Sequence, residues 1–323
     1  MGRDDDSKKS HPAPAVIGAI LLALAPAAGL IALGSWLRRA RFLPDAFWPG
    51  AERLAYFILL PALLVHSLAM ADLSRVPVAR LMLVIALSLT GVAALLVAVR
   101  PWLAIDGPAF TSVFQGGIRF NNYVGLTVAA GLLGGPGIAL AAVANATIVP
   151  VANLFCILVF ARYAGGQASL SGIARSIATN PLIVASGMGA VLQATGIGLP
   201  PGLEGMIRAL GVASLPIGLL CVGAAFDLFA VRRGLRETLI ASATKFVALP
   251  IATLAACLAL GLSGDAALVA MLFQSLPTAS SAYILARHLG GDAPLMAGIV
   301  ALQTVVAALA IPVALLTAMR WLA

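Results

Sequence analysis

Long apolar runs, separated by short polar or charged segments, cover almost the entire chain. A helix needs about 20 apolar residues to cross a bilayer, and at this length the runs divide into ten predicted spans. The connections between them are short. The predicted spans are 14–34, 51–70, 79–99, 110–133, 137–162, 180–199, 203–226, 236–262, 265–287 and 293–319.

The second half of the chain repeats landmarks of the first half in the same order. "LPALLVHSLAMADL" in span 2 returns as "LPIGLLCVGAAFDL" in span 7, and "FQGG" in span 4 returns as "FQSL" in span 9. Five spans separate the copies, so the two halves have opposite orientations in the membrane. Inverted repeats of this kind are typical of secondary transporters.

The predicted fold is therefore an all-α integral membrane protein built from two inverted five-helix repeats. The predicted parts of the chain are a disordered N-terminal tail over 1–13, a first repeat over 14–162, a short cytoplasmic linker over 163–179 and a second repeat over 180–323.

Composition excludes a soluble protein. The chain is 61% hydrophobic and 10% charged, with a mean hydropathy of +1.04, whereas soluble domains are about 25% charged. The net charge of +8 indicates no nucleic-acid partner, because Lys and Arg of membrane proteins mostly flank spans. Odd-numbered loops hold 11 of these residues and the opposite side holds 7. This bias predicts cytoplasmic odd loops, with both termini outside the inner membrane.

Spans 4 and 9 are interrupted at corresponding places. Span 4 contains "GGIRFNNYVG" (116–125), and span 9 contains Leu276-Pro277 followed by "TASS". In a helix interior Gly costs about 1 kcal/mol and Pro about 3 kcal/mol relative to Ala. Broken helices at matching positions of two repeats point to a transporter's binding site. The predicted substrate-binding residues on these stretches are Asn121, Asn122, Pro277, Thr278, Ser280 and Ser281.

Two cations lie inside predicted spans, Arg119 in span 4 and Lys245 in span 8, while every carboxylate lies at a span end or in a loop. A cation near the bilayer centre costs about 2.5–3.5 kcal/mol and suggests a function. We therefore predict an anionic substrate that Arg119 and Lys245 help to bind. For each cation the alternative is a structural role at helix-end carbonyls or at the interface.

Secondary site candidates are polar side chains near the two breaks or at span ends. Asn145 and Gln303 are near-counterparts in the repeats, and interhelical hydrogen bonding is the alternative for both. No metal-ligand spacing, nucleophile motif or nucleotide loop is present in the sequence, which predicts neither an enzyme nor a cofactor. The secondary candidates are Gln115, Asn145, Asn180, Gln274 and Gln303.

Five segments in order resemble the auxin efflux carrier family of bacterial permeases and plant PIN carriers. They are "ERLAYFILLPALLVHSLAMADL", "GGIRFNNYVGLTVAAGLLG", "NPLIVASGMGAVLQ", "ALGVASLPIGLLCVGAAFDL" and "LPTASSAYILARHLGGD". The resemblance implies a fold like that of bile acid symporters, with spans 1, 2, 6 and 7 as scaffold. Broken helices 4 and 9 would cross at the site of a transport domain, moving in an elevator-like way. A homodimer would form through the scaffold helices.

The resemblance also implies roles for matching residues. The family's span 4 asparagine corresponds to Asn121 or Asn122, its crossover proline to Pro277, and the Asn-Pro that opens span 6 to Asn180-Pro181. The long cytoplasmic loop of many plant members is absent, and small carboxylates such as malate or malonate fit the bacterial branch better than auxin.

The leading hypothesis is a secondary transporter of small organic anions in the lipid bilayer, with a proton or Na⁺ as the open choices of coupling ion. The first alternative is a sodium-coupled symporter of larger amphipathic anions on the same fold. The second is a membrane receptor of transporter ancestry.

Overall fold

The computed structural model describes residues 13–72, 76–165, 175, 178–226, 230–231 and 234–322. Over these residues the chain is helical and contains no strand. Nearly all of the predicted N-terminal tail and most of the predicted linker lie outside the described residues. Ala13 and Tyr163, which the sequence assigns to the tail and the linker, are the first and last residues of helices.

Eleven helices make up most of the described chain. They are α1 Ala13–Arg39, α2 Phe47–Ala69, α3 Val78–Leu103, α4 Gly107–Ile118, α5 Asn122–Tyr163, α6 Pro181–Thr195, α7 Pro201–Ala224, α8 Leu235–Leu260, α9 Gly264–Gln274, α10 Ser281–His288 and α11 Ala293–Trp321. Short π-helical turns interrupt α2 at Ala55–Leu59 and α8 at Thr244–Ala248. A proline follows each turn two residues later, and a proline cannot donate the backbone hydrogen bond of a regular α-helix.

Seven helical stretches of the described chain are long and apolar enough to cross a membrane, and α6 and α9 are shorter apolar helices. The protein is thus an integral membrane protein with several membrane-spanning segments. One of the seven stretches, Gly107–Tyr163, has 57 residues, far more than the roughly 20 that one crossing needs. It is interrupted at Arg119–Asn121, and again at Gly134, whose φ of 61° and ψ of −140° are not helical. The stretch is therefore long enough for more than one membrane-spanning segment.

Packing divides the helices into two neighbourhoods. Helices α1, α2, α6 and α7 pack together, and α3, α4, α8, α9 and α11 form a second group. Helix α5 contacts both groups, with α1, α2, α6 and α7 on one side and α3, α4 and α9 on the other. Helices α1 and α7 approach unusually closely, because a Cβ on Gly34 would collide with the backbone of Leu220 and one on Gly223 with that of Ile31. Small residues allow such close helix contacts inside membranes.

The two broken stretches occupy the interior of the bundle. Every residue from Ala109 to Ile118 in α4 is buried, and so is every residue from Ala266 to Gln274 in α9. Large apolar side chains instead cover the outside, with Leu22, Trp102 and Leu309 more than 70% exposed, as expected for a lipid-facing surface. The interrupted backbone is therefore shielded from lipid. At membrane depth, non-helical backbone occurs only where it is buried in protein or lines a water-filled cavity.

Candidate functional site

Both predicted interruptions are present in the structure. After Ile118 the backbone is extended at Arg119 and at Asn121, and α5 begins at Asn122. After Gln274 the chain is non-helical until Ser281 opens α10. Each interruption leaves backbone groups without helical partners, which must be satisfied elsewhere.

One buried amide side chain joins the two breaks. The Gln303 side chain, on α11, accepts a hydrogen bond from the Thr278 backbone N–H at 2.9 Å and donates one to the Gly116 carbonyl at 2.9 Å. The Thr278 hydroxyl donates to the same carbonyl at 2.9 Å and to the Arg119 carbonyl at 3.3 Å. These bonds hold the end of α4 against the non-helical segment after α9. The two breaks therefore meet, and we call this place the crossing.

Glycines make this contact possible. A Cβ on Gly125 would lie 2.5 Å from Leu276 Cδ1, and one on Gly116 would lie 2.6 Å from Ile299 Cγ2. Such distances are too short for real carbon atoms, so a larger residue would displace the Leu276 side chain at the second break or the Ile299 side chain on α11. Close packing, rather than unusual backbone angles, explains the glycines that surround "RFNN".

A cavity of about 220 Å³ lies beside the crossing. Its polar lining comes from three helices: α2, the start of α5 and the start of α10. We call it the crossing cavity, and its polar lining residues include Glu52, Tyr56, Asn121, Asn122, Ser280 and Ser281. Four of the eight principal residues predicted from sequence are thus brought together around one small space.

Asn121 and Asn122 have different tasks. The Asn121 side-chain oxygen caps α5 by accepting hydrogen bonds from the backbone N–H groups of Tyr123 and Val124 at 3.1 and 3.3 Å. Its amide nitrogen is left to donate elsewhere. The Asn122 side-chain oxygen and the Tyr123 hydroxyl are buried without a hydrogen-bond partner among the described residues. Unsatisfied polar groups of this kind suit a ligand or a water molecule.

Two helix N-termini point to the crossing cavity. Helix α5 begins at Asn122 and α10 begins at Ser281, and both residues line the cavity. The N-terminus of a helix carries a partial positive charge, which favours anions. The N–H groups of Tyr123 and Val124 in α5 and of Ala282 and Tyr283 in α10 already have acceptors within the chain. These helix ends therefore contribute their positive field, and the side-chain amides and hydroxyls contribute the hydrogen-bond donors.

Glu52 is a lining residue that the sequence did not single out as a site candidate. The sequence places it at the start of span 2, and in the structure this end of the helix borders the crossing cavity. Helix α2 begins at Phe47, earlier than predicted, and the Ser280 hydroxyl donates a hydrogen bond to Glu52 Oε1 at 3.0 Å. Glu52 and Tyr56 are four residues apart on one helix face, a spacing from which sequence reasoning could have recognised a polar stripe.

The two predicted cations do not line the crossing cavity. The Arg119 guanidinium donates to the Asn153 side-chain oxygen of α5 at 3.1 Å, so only its backbone takes part in the crossing. Lys245 lies in the π-helical turn of α8 and is fully buried. Its ammonium nitrogen has no hydrogen-bond partner within the described residues. Burying a charge without a partner is costly, and none of the described residues offsets this cost for Lys245 through a hydrogen bond.

The secondary candidates separate into bonded and unbonded groups. Besides Gln303, Gln274 donates to the Ser88 hydroxyl at 2.9 Å, and Asn180 caps α6 while donating to the Tyr56 hydroxyl at 3.4 Å. Gln115 and Asn145 are buried, and the described residues offer neither amide a hydrogen-bond partner. Pro277 lies in the non-helical segment next to Thr278.

Comparison with known protein families indicates the class of protein in which this site is found. The family model described as membrane transport protein, that of auxin efflux carrier and PIN-like permeases, matches residues 167–315. Over these residues the chain is similar to this permease family. No curated protein matches the chain.

The family match covers the part of the chain that runs from before α6 into α11, and thus includes the second break and Gln303. The first break, with Asn121 and Asn122, lies outside the matched range. Members of the family are membrane transporters rather than enzymes. The protein is therefore a multi-pass membrane transporter whose interior contains a polar crossing of two broken helices.

Proposed function

We propose that this permease is a secondary transporter that moves small organic anions, such as carboxylates, across the cytoplasmic membrane by alternating access. The observation that carries this proposal is the meeting of two helix N-termini, those of α5 and α10, at one cavity lined by amides and hydroxyls. Half-helix N-termini directed at anionic groups are a recurring solution among secondary transporters.

The size of the crossing cavity supports a small substrate. Its volume of about 220 Å³ is below the roughly 300–1,000 Å³ of sites for drug-sized ligands. A carboxylate of a few carbon atoms suits this space better than a large amphipathic anion. The cavity volume therefore favours the small-anion carrier over the bile-acid-type symporter.

Cavities on two sides of the crossing support alternating access. A cavity of about 560 Å³ shares Glu52, Ser280 and Ile284 with the crossing cavity and extends to Arg38 and Pro294. We call it the loop-side cavity, because it reaches the loops that the Lys/Arg bias assigns to the cytoplasm. A cavity of about 820 Å³, lined by His66, Gly135 and Asp265 among others, lies at the other ends of the helices.

We further propose that the chain forms ten spans in two inverted repeats, with both termini outside. The matching interruptions in the two halves support this arrangement. The neighbourhood of α1, α2, α6 and α7 would serve as the scaffold and the other helices as the moving part, in an elevator-like motion.

Direct binding and transport measurements test the function. We expect malate, malonate or another small carboxylate to raise the melting temperature of the purified permease, since a ligand that binds only the folded state stabilises it. In proteoliposomes the same compound should drive exchange of its radiolabelled form, while an uncharged amide analogue should not. Stabilisation by the amide equal to that by the carboxylate would contradict an anion site.

Replacing Arg119 tests how far the anion site extends. Because its guanidinium bonds Asn153 and lies away from the crossing cavity, we expect Arg119→Gln to lower the melting temperature by a few degrees. Loss of a charged hydrogen bond costs about 1.5–3 kcal/mol. Affinity for the carboxylate should stay within about threefold, since such a change in binding free energy is under 1 kcal/mol. A tenfold loss of affinity without loss of stability would instead place Arg119 in the site.

A further inference from the structure

Glu52 is a carboxylate inside a site built from hydrogen-bond donors. It lines both the crossing cavity and the loop-side cavity, and it accepts the hydroxyl hydrogen of Ser280, one residue before α10. Within the residues that the structure describes, Glu52 forms no ion pair. A negatively charged side chain at the place proposed to receive an anion requires an explanation.

A proton provides that explanation. An anion and an ionised carboxylate in one small cavity repel each other, and protonation of Glu52 removes one of the two charges. A protonated carboxyl group is also a hydrogen-bond donor. It would then add to the side-chain donors of Asn121 and Ser281 and to the positive field of the two helix N-termini instead of opposing them.

The other ionisable groups around Glu52 do not supply this change of charge. Guanidinium, phenol and thiol groups ordinarily titrate well above neutral pH. They share the two cavities with Glu52 or interact with it electrostatically. In the described part of the chain they are Arg38, Arg53, Tyr56, Tyr123, Cys221 and Tyr283. Arg38 is already engaged, donating to the Ala224 carbonyl at 2.7 Å and pairing with Asp45 at 3.5 Å.

The loop-side cavity gives the proton a route. It connects Glu52 with residues at the helix ends, Arg38 on α1 and Pro294 on α11. Water in this space can deliver a proton to the carboxylate without passing through the crossing. The carboxylate is thus reachable from one side of the bundle while its hydrogen bond to Ser280 connects it to the broken helix.

We propose that Glu52 is a proton-binding site linked to the anion site, so that the crossing cavity takes up one proton at Glu52 for each anion it binds. This rests on the proposed anion transport. The bond formed is O–H on a Glu52 carboxylate oxygen, the proton comes from water on the loop side, and it is released when the anion leaves. By linkage the anion favours protonation and protonation favours the anion to the same degree.

Malate binding to the purified permease tests the linkage between about pH 6 and 8, where unperturbed carboxyl groups, including those of malate, stay ionised. We expect wild-type affinity to fall by up to about tenfold per pH unit as pH rises, the limit for one linked proton. Calorimetry in buffers of different ionisation enthalpy should show uptake of about one proton per malate.

Glu52→Gln keeps an oxygen that can accept from Ser280 but cannot titrate. Its affinity should be high and independent of pH.

Matched variants keep the result interpretable. Glu204 on α7 is also half-buried and pairs with His66 at 3.7 Å beside the opposite cavity, so Glu204→Gln should retain the wild-type pH profile. Glu52→Asp should retain a pH-dependent affinity. A protonated-carboxyl infrared band that appears on malate binding should be lost in Glu52→Gln and kept in Glu204→Gln.

Two results would overturn the proposal in different ways. If Glu52→Gln binds malate with the wild-type pH profile, the proton is bound elsewhere and the linkage to Glu52 is wrong, while anion transport stands. If neither the wild type nor Glu52→Gln binds malate or any carboxylate at any pH, the anion function itself is wrong.

Discussion

Replacing both Asn121 and Asn122 with alanine is expected to abolish anion transport while leaving a folded, membrane-inserted protein. The double substitution removes the side-chain amides that open α5 at the crossing cavity. Leaving a buried donor or acceptor without its hydrogen-bond partner costs about 1–3 kcal/mol of free energy. Losing two of them should weaken anion binding by a hundredfold or more, since each 1.4 kcal/mol is about tenfold. Uptake into proteoliposomes, normalised to inserted protein, measures the effect.

The helix cap must be separated from the binding role. Asn121 caps α5 with its side-chain oxygen, and loss of an asparagine cap costs about 1 kcal/mol. Asn180 caps α6 in the same way, accepting from Leu182 and Ile183 at 3.0 and 3.3 Å. The melting temperature of Asn180→Ala therefore gives an upper limit for what a lost cap costs in this protein, because Asn180 also donates to the Tyr56 hydroxyl at 3.4 Å. Asn121→Ser retains a capping oxygen but no amide, so it should fold well and still transport poorly.

Wild-type uptake by the double variant would remove the start of α5 from the site. A melting temperature far below that of Asn180→Ala would show instead that the asparagines hold the crossing together. Transport loss with a melting temperature close to that of Asn180→Ala is the result that the geometry predicts.

The interruptions could be predicted from sequence because their causes are local. The glycines around "RFNN" mark the first break, although Gly116, Gly117 and Gly125 are themselves helical and serve close packing there. At the second break, Pro277 with its small polar neighbours disfavours helix whatever surrounds it. The long apolar runs similarly fix the helical character of the chain, because hydrocarbon leaves the backbone few alternatives. Helix ends moved by a few residues, as at α2, which begins at Phe47 instead of residue 51. Glu52 was already inside the predicted span, and what the sequence did not show is that this helix borders the site.

Partners across the bundle could not be predicted in this way. Glu52 and Ser280 are separated by 228 residues, and no local pattern shows that their helices are neighbours. Arg119 is a related case. Its position within span 4 suggested a ligand-binding cation, but the turn of the backbone after Ile118 directs its side chain to Asn153. Direction depends on packing, and packing is decided by the whole fold.

The near-counterparts Asn145 and Gln303 show the limit of repeat symmetry. In sequence they look equivalent, one in each half. In the structure Gln303 uses both ends of its amide at the crossing, whereas the Asn145 amide has no hydrogen-bond partner among the described residues. The two halves therefore differ in how these side chains serve the breaks, and only the three-dimensional contacts distinguish them.

Replacing Gln303 with leucine is expected to be among the most destabilising single changes in the protein. The Thr278 backbone N–H would lose its acceptor and the Gly116 carbonyl one of its donors. An unsatisfied buried group costs about 1–3 kcal/mol, and Leu has a similar size to Gln, so little of the loss would come from a cavity. We expect a clear fall in melting temperature together with loss of transport, because the two broken helices would no longer be joined.

Gln115 offers a matched control for this substitution. It is also a glutamine with no exposed surface, but both ends of its amide lack partners within the described residues. Removing an unsatisfied buried amide relieves a desolvation cost, so Gln115→Leu should be neutral or stabilising. If both variants lose stability equally, shape rather than hydrogen bonding governs these positions, and Gln303 is not what joins the breaks. If Gln115→Leu is stable but no longer transports, its free amide serves a bound ion or substrate, because natural sites retain unsatisfied groups at the expense of stability.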